Sequence, residues 1–218
     1  MPRIARVVVP GCPHHITQRG VRRMDVFFSD DDRRTYLELL SEQGRAHGVE
    51  YLAWCLMTNH VHLIAIPATS DSLAKGIGEA HKRYTRTVNL RAGWRGYLFQ
   101  GRFFSCPVEP SRLVAVVRYV LRNPVRAGIA AQPWGYKWSS AKWLVGSAAA
   151  DPLIRDPGPL VEIENWRSLL AVGGDDYALI RGSTSTGRPL GDESFVERIE
   201  TLLSRRLTKR KPGPAKRR

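Results

Sequence analysis

The segment 49-VEYLAWCLMTNHVHLIAI-66 holds two apolar runs separated only by Thr58-Asn59. Runs this short, rich in β-branched and aromatic residues and joined by two turn residues, predict a β-hairpin. The hairpin organises its surroundings. A further strand is predicted at 14-HHITQRG-20. A helix follows, opened by Asp30 to Asp32 and carrying Tyr36, Leu37, Leu39 and Leu40 at helical spacing, with Gly48 as its stop. Residues 71–90 read as a second helix, and the latter half of 93-GWRGYLFQGRFFSCPV-108 as a strand. The clearest helix is 110-PSRLVAVVRYVLRNPVRAG-128, with Pro110 at its start and Gly128 at its end.

The order β-α-β-β-α-β-α predicts an α+β fold, an antiparallel sheet with helices packed on it, over residues 1–145. Residues 146–190 are rich in Gly, Pro and Asp and read as an irregular linking segment with a short helix near 163–172. Residues 191–218 read as a basic C-terminal helix and a tail expected to be disordered when free. In Trp138-Ser139-Ser140 the sequence suggests a packing anchor and a helix cap.

Composition narrows the function. The 218 residues carry a formal net charge of +14, and 205-RRLTKRKPGPAKRR-218 has eight Lys/Arg and no acid. Such an excess favours a polyanion, above all nucleic acid, through counterion release. No apolar run approaches the ~20 residues of a membrane span. Cys12, Cys55 and Cys106 are odd in number and far apart, which fits a reducing cytoplasm and gives no zinc-site spacing.

His60 and His62 are i, i+2 neighbours on a predicted strand, so their imidazoles share a face. Alone, the pair reads equally as two divalent-metal ligands or as two ordinary strand histidines. The helix at 110–128 adds to it. At ~100° per residue, Leu113, Val117, Val120 and Pro124 form the core face, and Tyr119 falls nearly opposite. Asn123 lies one turn further on, with Arg112 and Arg126 nearby. A phenol ionises near ~10 and is a weak nucleophile at neutral pH. Positive charge and a metal favour its phenolate. Imidazoles and an amide oxygen suit Mn²⁺, while Mg²⁺ prefers oxygen ligands. The expected chemistry is in-line attack of Tyr119 on a phosphodiester, with His60, His62 and Asn123 on the metal.

The motifs HHITQRG, CLMTNHVHLI, RYVLRNPVRAG and GYKWSS, in that order across residues 5–145, resemble the REP-associated tyrosine transposases. These are single-tyrosine members of the HUH endonuclease superfamily. The resemblance implies a ferredoxin-like, RRM-like domain, with His60, His62 and Asn123 as metal ligands and Tyr119 as nucleophile. It also implies cleavage and joining of single-stranded DNA near hairpin-forming palindromes, by a monomer or homodimer at the nucleoid.

Candidate DNA contacts are Arg19, Arg22, Arg23, Lys82, Arg83, Arg102, Arg112, Arg122 and Arg126, with Lys209, Arg210 and Lys211 in the tail. The aromatics Trp94, Tyr97, Phe99, Phe103 and Phe104 serve either as stacking platforms or as core. His14 and His15 could approach the site, but read rather as ordinary strand positions. Two other functions compete. A non-catalytic nucleic-acid binder leaves Tyr119, Asn123 and the histidine pair without a use. A histidine-triad hydrolase expects a third histidine where Ile64 stands.

Overall fold

The computed structural model describes residues 5–174 and 176–208. Strands β1 (His14–Arg19), β2 (Val49–Met57), β3 (His60–Pro67) and β4 (Phe104–Pro107) form one antiparallel sheet in the order β2-β3-β1-β4. Helices α1 (Asp30–Ala46) and α2 (Ser72–Ala92) complete a βαββαβ unit, the ferredoxin-like α+β arrangement expected. Ser29 caps α1 in a capping box with Asp32, where local sequence predicts the start. Asp32 also accepts from Arg91 of α2 at 2.5 and 3.1 Å, which ties the two helices together.

Each face of the sheet has its own core. Ile16, Trp54, Leu56, Val61 and Leu63 pack under α1 and α2. Leu52, Ala53, Cys55, Met57 and Ile64 face helix α3 (Leu113–Leu121) on the other side. Strand β2 serves both cores because its pairing with β3 shifts between Tyr51 and Ala53. The bulge inverts the alternation, so Tyr51 and Trp54 share a face although they are three residues apart. The exposed edge of β2 is covered. Leu56 N donates to Trp138 O at 2.9 Å, and Trp54 N to Ser140 Oγ at 3.0 Å. Ser140 thus protects a strand edge; it makes no side-chain cap to the short helix α5 (Ala141–Leu144) that follows.

The helix expected at 110–128 is interrupted. It begins as a 3₁₀ turn at Pro110–Arg112, runs as α3, breaks at Arg122 and resumes as α4 (Asn123–Arg126). The cause is Pro124, which has no N–H to bond the carbonyl of Val120. The segment 146–190 also differs from expectation. Besides α6 (Trp166–Ala171), it contains the ten-residue helix α7 (Tyr177–Thr186), packed against α3, β1 and β4. A last helix, α8 (Glu193–Leu202), packs Phe195 and Ile199 on Val7 and Val9. Among the described residues no helix is long and apolar enough to cross a membrane.

Several histidines are enclosed. His14 is fully buried, with Nδ1–H donating to Cys12 O at 2.8 Å and Nε2 accepting from Val9 N at 3.2 Å. Burial lowers its pKa to about 4, and burial, aided by Arg6, lowers that of His81 to about 3. An unfolded histidine titrates near ~6.5. Between these values the unfolded chain binds more protons, so stability is full above ~6.5 and is lost as pH falls toward 4 and 3. Burial works to raise the pKa of Asp32, but Arg91 and the Phe28 and Ser29 N–H groups outweigh it and hold the carboxyl below its ordinary value. Its contribution is therefore lost only at more acid pH. The melting temperature should fall as pH drops from about 7.5 to about 5. A scanning-fluorimetry series with a flat melting temperature over that window would contradict the buried neutral histidines.

Candidate active site

Alternation along β3 turns Val61, Leu63 and Ala65 toward α1 and α2, and His60 and His62 toward α3. The register sets Thr17 opposite His62 and Arg19 opposite His60. His15, one pair further along β1, joins the same face. Its ring stacks on that of His62 with centroids 5.2 Å apart, and His15 Nε2 lies 3.0 Å from His62 Nδ1. The rings of His60 and His62 are 5.1 Å apart, edge to face.

Helix α3 lays Tyr119 across this face. Its ring centroid is 5.8 Å from that of His62 and 5.7 Å from that of His15. Asn123 follows at the helix break. Its Nδ2 donates to Tyr119 O at 2.9 Å and Val120 O at 3.1 Å, while its Oδ1 accepts from Arg126. Carbonyls only accept and a guanidinium only donates, so these partners fix the amide orientation. His60, His62, Tyr119, Asn123 and Arg126 all line one cleft of about 530 Å³.

Tyr119 departs from the expected surface position. It is only 7% exposed. Helix α7 lies over it and brings Tyr177 to 5.5 Å, ring to ring. The Arg126 guanidinium sits 4.7 Å from the Tyr119 ring and 4.9 Å from that of Tyr177. A helical wheel assumes one covered face; α3 has the sheet on one side and α6 and α7 on the other.

The site is positively charged and its histidines are neutral. Burial, then Arg19 and Arg126, lowers the His60 pKa to about 4. His62 is pushed well below its ordinary value by burial, reinforced by His15, His60, Arg126 and Arg19. Neutral imidazoles and an amide oxygen are metal donors, and Arg126 already places a positive group on Asn123 Oδ1. The residues present thus fit a divalent cation. Among the described residues no three His, Cys, Asp or Glu side chains are grouped so as to hold a metal ion.

The candidate DNA contacts divide. Arg19 and Arg126 line the cleft. Arg22 and Arg23 are exposed on a left-handed turn beside it, where Arg23 O accepts from Asn59 Nδ2 at 3.0 Å. Arg112 is exposed, 3.9 Å from Asp176. Arg102 is exposed, and its charge acts on Arg6. Lys82 and Arg83 belong to α2, across the sheet from the histidines, and pair with Glu79 and, for Arg83, Glu42. Arg122 donates to the carbonyls of Leu170 and Ala171 at 2.5 and 2.7 Å, which closes the end of α6. Lys209, Arg210 and Lys211 lie outside the described residues. Of the aromatics, Phe99 and Phe103 are core, whereas Trp94 and Tyr97 are exposed.

Sequence reasoning passed over Tyr177, Arg181 and Thr184 and set His15 aside as an ordinary strand position; all four line the cleft. The first three lie at i, i+4 and i+7 of α7, a helical signal hidden between Gly-rich flanks. A roomier groove of about 650 Å³, lined by Trp54, Trp138, Trp143 and Asp151, shares no residue with the histidine cleft.

Comparison with known proteins bears on the fold and the family. A search of curated proteins finds no match. A solved REP-associated tyrosine transposase bound to a REP hairpin is similar in fold, with a TM-score of 0.58 and 19% identity over 72% of this chain and 92% of that one. A structure described as a putative transposase from Deinococcus radiodurans R1 aligns with a TM-score of 0.39 and 20% identity, over 55% of this chain and 95% of that one. The model of the family described as "Transposase IS200 like" matches residues 8–123, from the approach to β1 through Asn123, and the chain belongs to that family.

Proposed function

We propose that the protein cleaves and rejoins single-stranded DNA through a covalent 5′-phosphotyrosine on Tyr119, at sites beside hairpin-forming palindromes. One observation carries the reading: a tyrosine, two neutral histidines and an amide oxygen, drawn from β3, α3 and α4, line a single basic cleft. A non-catalytic DNA binder needs the charge but has no use for that combination.

His60, His62 and Asn123 Oδ1 would hold a divalent ion, Mg²⁺ or Mn²⁺, which would supply Lewis-acid polarisation of a phosphoryl oxygen. The chain's own residues do the rest. Asn59 takes the Nδ1–H of His60 at 2.7 Å, which leaves Nε2 as a lone-pair donor. Arg126, against both Asn123 and Tyr119, holds positive charge where the phosphate enters. Tyr119 Oη attacks phosphorus and gives its proton to solvent. The bond from phosphorus to the 3′-oxygen breaks, and that oxygen leaves as a protonated hydroxyl. In the reverse step a 3′-hydroxyl attacks the phosphotyrosine and frees Tyr119. One phosphodiester exchanges for another, so joining needs no ATP.

The hairpin preference is suggested by the similarity to the REP-associated enzyme, whose solved structure holds a REP hairpin. Arg19 and Arg181 in the cleft lining, with Arg22 and Arg23 exposed on the turn after β1, would meet backbone phosphates. The eight cations of residues 205–218 would add contacts that carry no sequence information.

The test is covalent capture. Protein incubated with a labelled hairpin-bearing single strand and Mn²⁺ or Mg²⁺ should form a protein–DNA adduct on a denaturing gel. Y119F should abolish the adduct, and chelator should remove it. H60A should lower cleavage by about 100-fold or more while DNA binding survives. Binding without an adduct across a panel of hairpins would favour the non-catalytic reading. A separate outcome concerns Asn123: N123A should cost roughly 1 kcal/mol of stability through its lost bonds to the α3 carbonyls, measured by denaturant unfolding. It should also lose cleavage. A variant as stable as wild type would mean that those bonds do not support the helix end.

A further inference from the structure

The two histidines of β3 are each held by a hydrogen-bond chain that ends on a backbone carbonyl, and the second chain runs through His15 and Thr184. For His60 the chain is short. Arg23 O accepts from Asn59 Nδ2, so Asn59 Oδ1 faces His60 and accepts its Nδ1–H. For His62 it is longer. Thr184 Oγ1 lies 2.8 Å from Ile180 O, one turn back on α7, and 2.7 Å from His15 Nδ1. His15 Nε2 then lies 3.0 Å from His62 Nδ1. His15 is fully buried and Thr184 is 5% exposed, so water offers little competition.

Proton accounting sets the direction. A threonine hydroxyl within a helix donates to the i−4 carbonyl, which leaves its lone pairs to accept. His15 Nδ1–H donates to it. A neutral imidazole carries one N–H, so His15 Nε2 is an acceptor. The proton between the two rings therefore belongs to His62 Nδ1, and His62 Nε2 is left with a lone pair.

We propose that Thr184 and His15 are positioning residues that lock His62 in the tautomer whose Nε2 can bind a metal, as Asn59 does for His60. This rests on the metal reading above and deepens it, because it makes α7, outside the span matched by the family model, part of what prepares the metal site. If Thr184 loses its hydroxyl, His15 loses its acceptor. The ring can then shift its proton to Nε2 and donate to His62 Nδ1. His62 would carry its own proton on Nε2, the tautomer that cannot ligate there.

The test uses the full-length chain labelled with ¹⁵N at histidine. Long-range ¹H–¹⁵N spectra of the metal-free protein report which His62 nitrogen carries hydrogen, and calorimetry reports Mn²⁺ affinity without DNA. In wild type, His62 should show a protonated Nδ1 and a bare Nε2. T184V, which keeps the shape, should lose that pattern and bind Mn²⁺ about 10- to 100-fold more weakly. T184S, which restores the hydroxyl, should recover both. A wild-type spectrum with hydrogen on His62 Nε2 overturns the proposal, and stands as a test even if T184V does not fold. So does a T184V protein with the wild-type tautomer and unchanged Mn²⁺ affinity. If wild type and H60A show the same negligible Mn²⁺ uptake, the metal reading itself fails and takes the positioning role with it. Normal wild-type uptake with an unaffected T184V overturns the positioning role alone.

Discussion

Period-2 alternation along β3 is the constraint on which the rest depends. Strand β3 is interior to the sheet, paired with β2 on one side and β1 on the other. Both faces are covered, so every side chain on it must suit one core or the other. Val61, Leu63 and Ala65 are apolar because α1 and α2 bury them. The histidines take the opposite phase, where burial keeps them neutral and next to α3. A slip of one residue against β1 would carry them into the apolar layer and bring Val61 and Leu63 to the cleft. Folding the sheet in register and assembling the site are therefore the same event.

How far this was legible depends on the kind of signal. The hairpin, α1, α2 and the order of elements follow from local patterns: a two-residue turn, a capping box and apolar periodicity. The bulge in β2 left no trace, because VEYLAWCLM is apolar almost throughout and has no phase to lose. The pairing of HVH with the Tyr119–Asn123 turn was legible through residue chemistry. The burial of Tyr119 was not, since it depends on α7, whose few apolar residues sit between Gly-Gly and Gly-Arg-Pro. The contact of His15 with His62 was hidden for a related reason. His14 and His15 look equivalent in the sequence, yet adjacent strand positions face opposite ways. His14 bonds Cys12 O and Val9 N, whereas only His15 meets His62.

The arginines teach the same lesson about charge. Composition shows that a polyanion is favoured but not which cations meet it. Arg122 and Arg126 are four residues apart and look alike as phosphate contacts. Arg122 instead closes α6 through two carbonyls, while Arg126 turns into the cleft against Asn123 and two tyrosines. A net charge of +14 is thus partly structural.

The Asn-Pro step shows how a break in regular structure can orient a side-chain amide. Pro124 cannot bond the carbonyl of Val120, which instead accepts from a backbone N–H at the helix end. The Asn123 amide nitrogen meets that carbonyl and the one before it, at 3.1 and 2.9 Å. With its NH₂ turned back along α3, the amide must present Oδ1 the other way, to the cation that Arg126 supplies. The proline that ends the helix thereby aims the oxygen. A glutamine at position 123 would carry the same atoms on a longer stem. It would need to reach back to the same carbonyls with one more rotatable bond, and its oxygen would lose the direction that the helix break gives to asparagine.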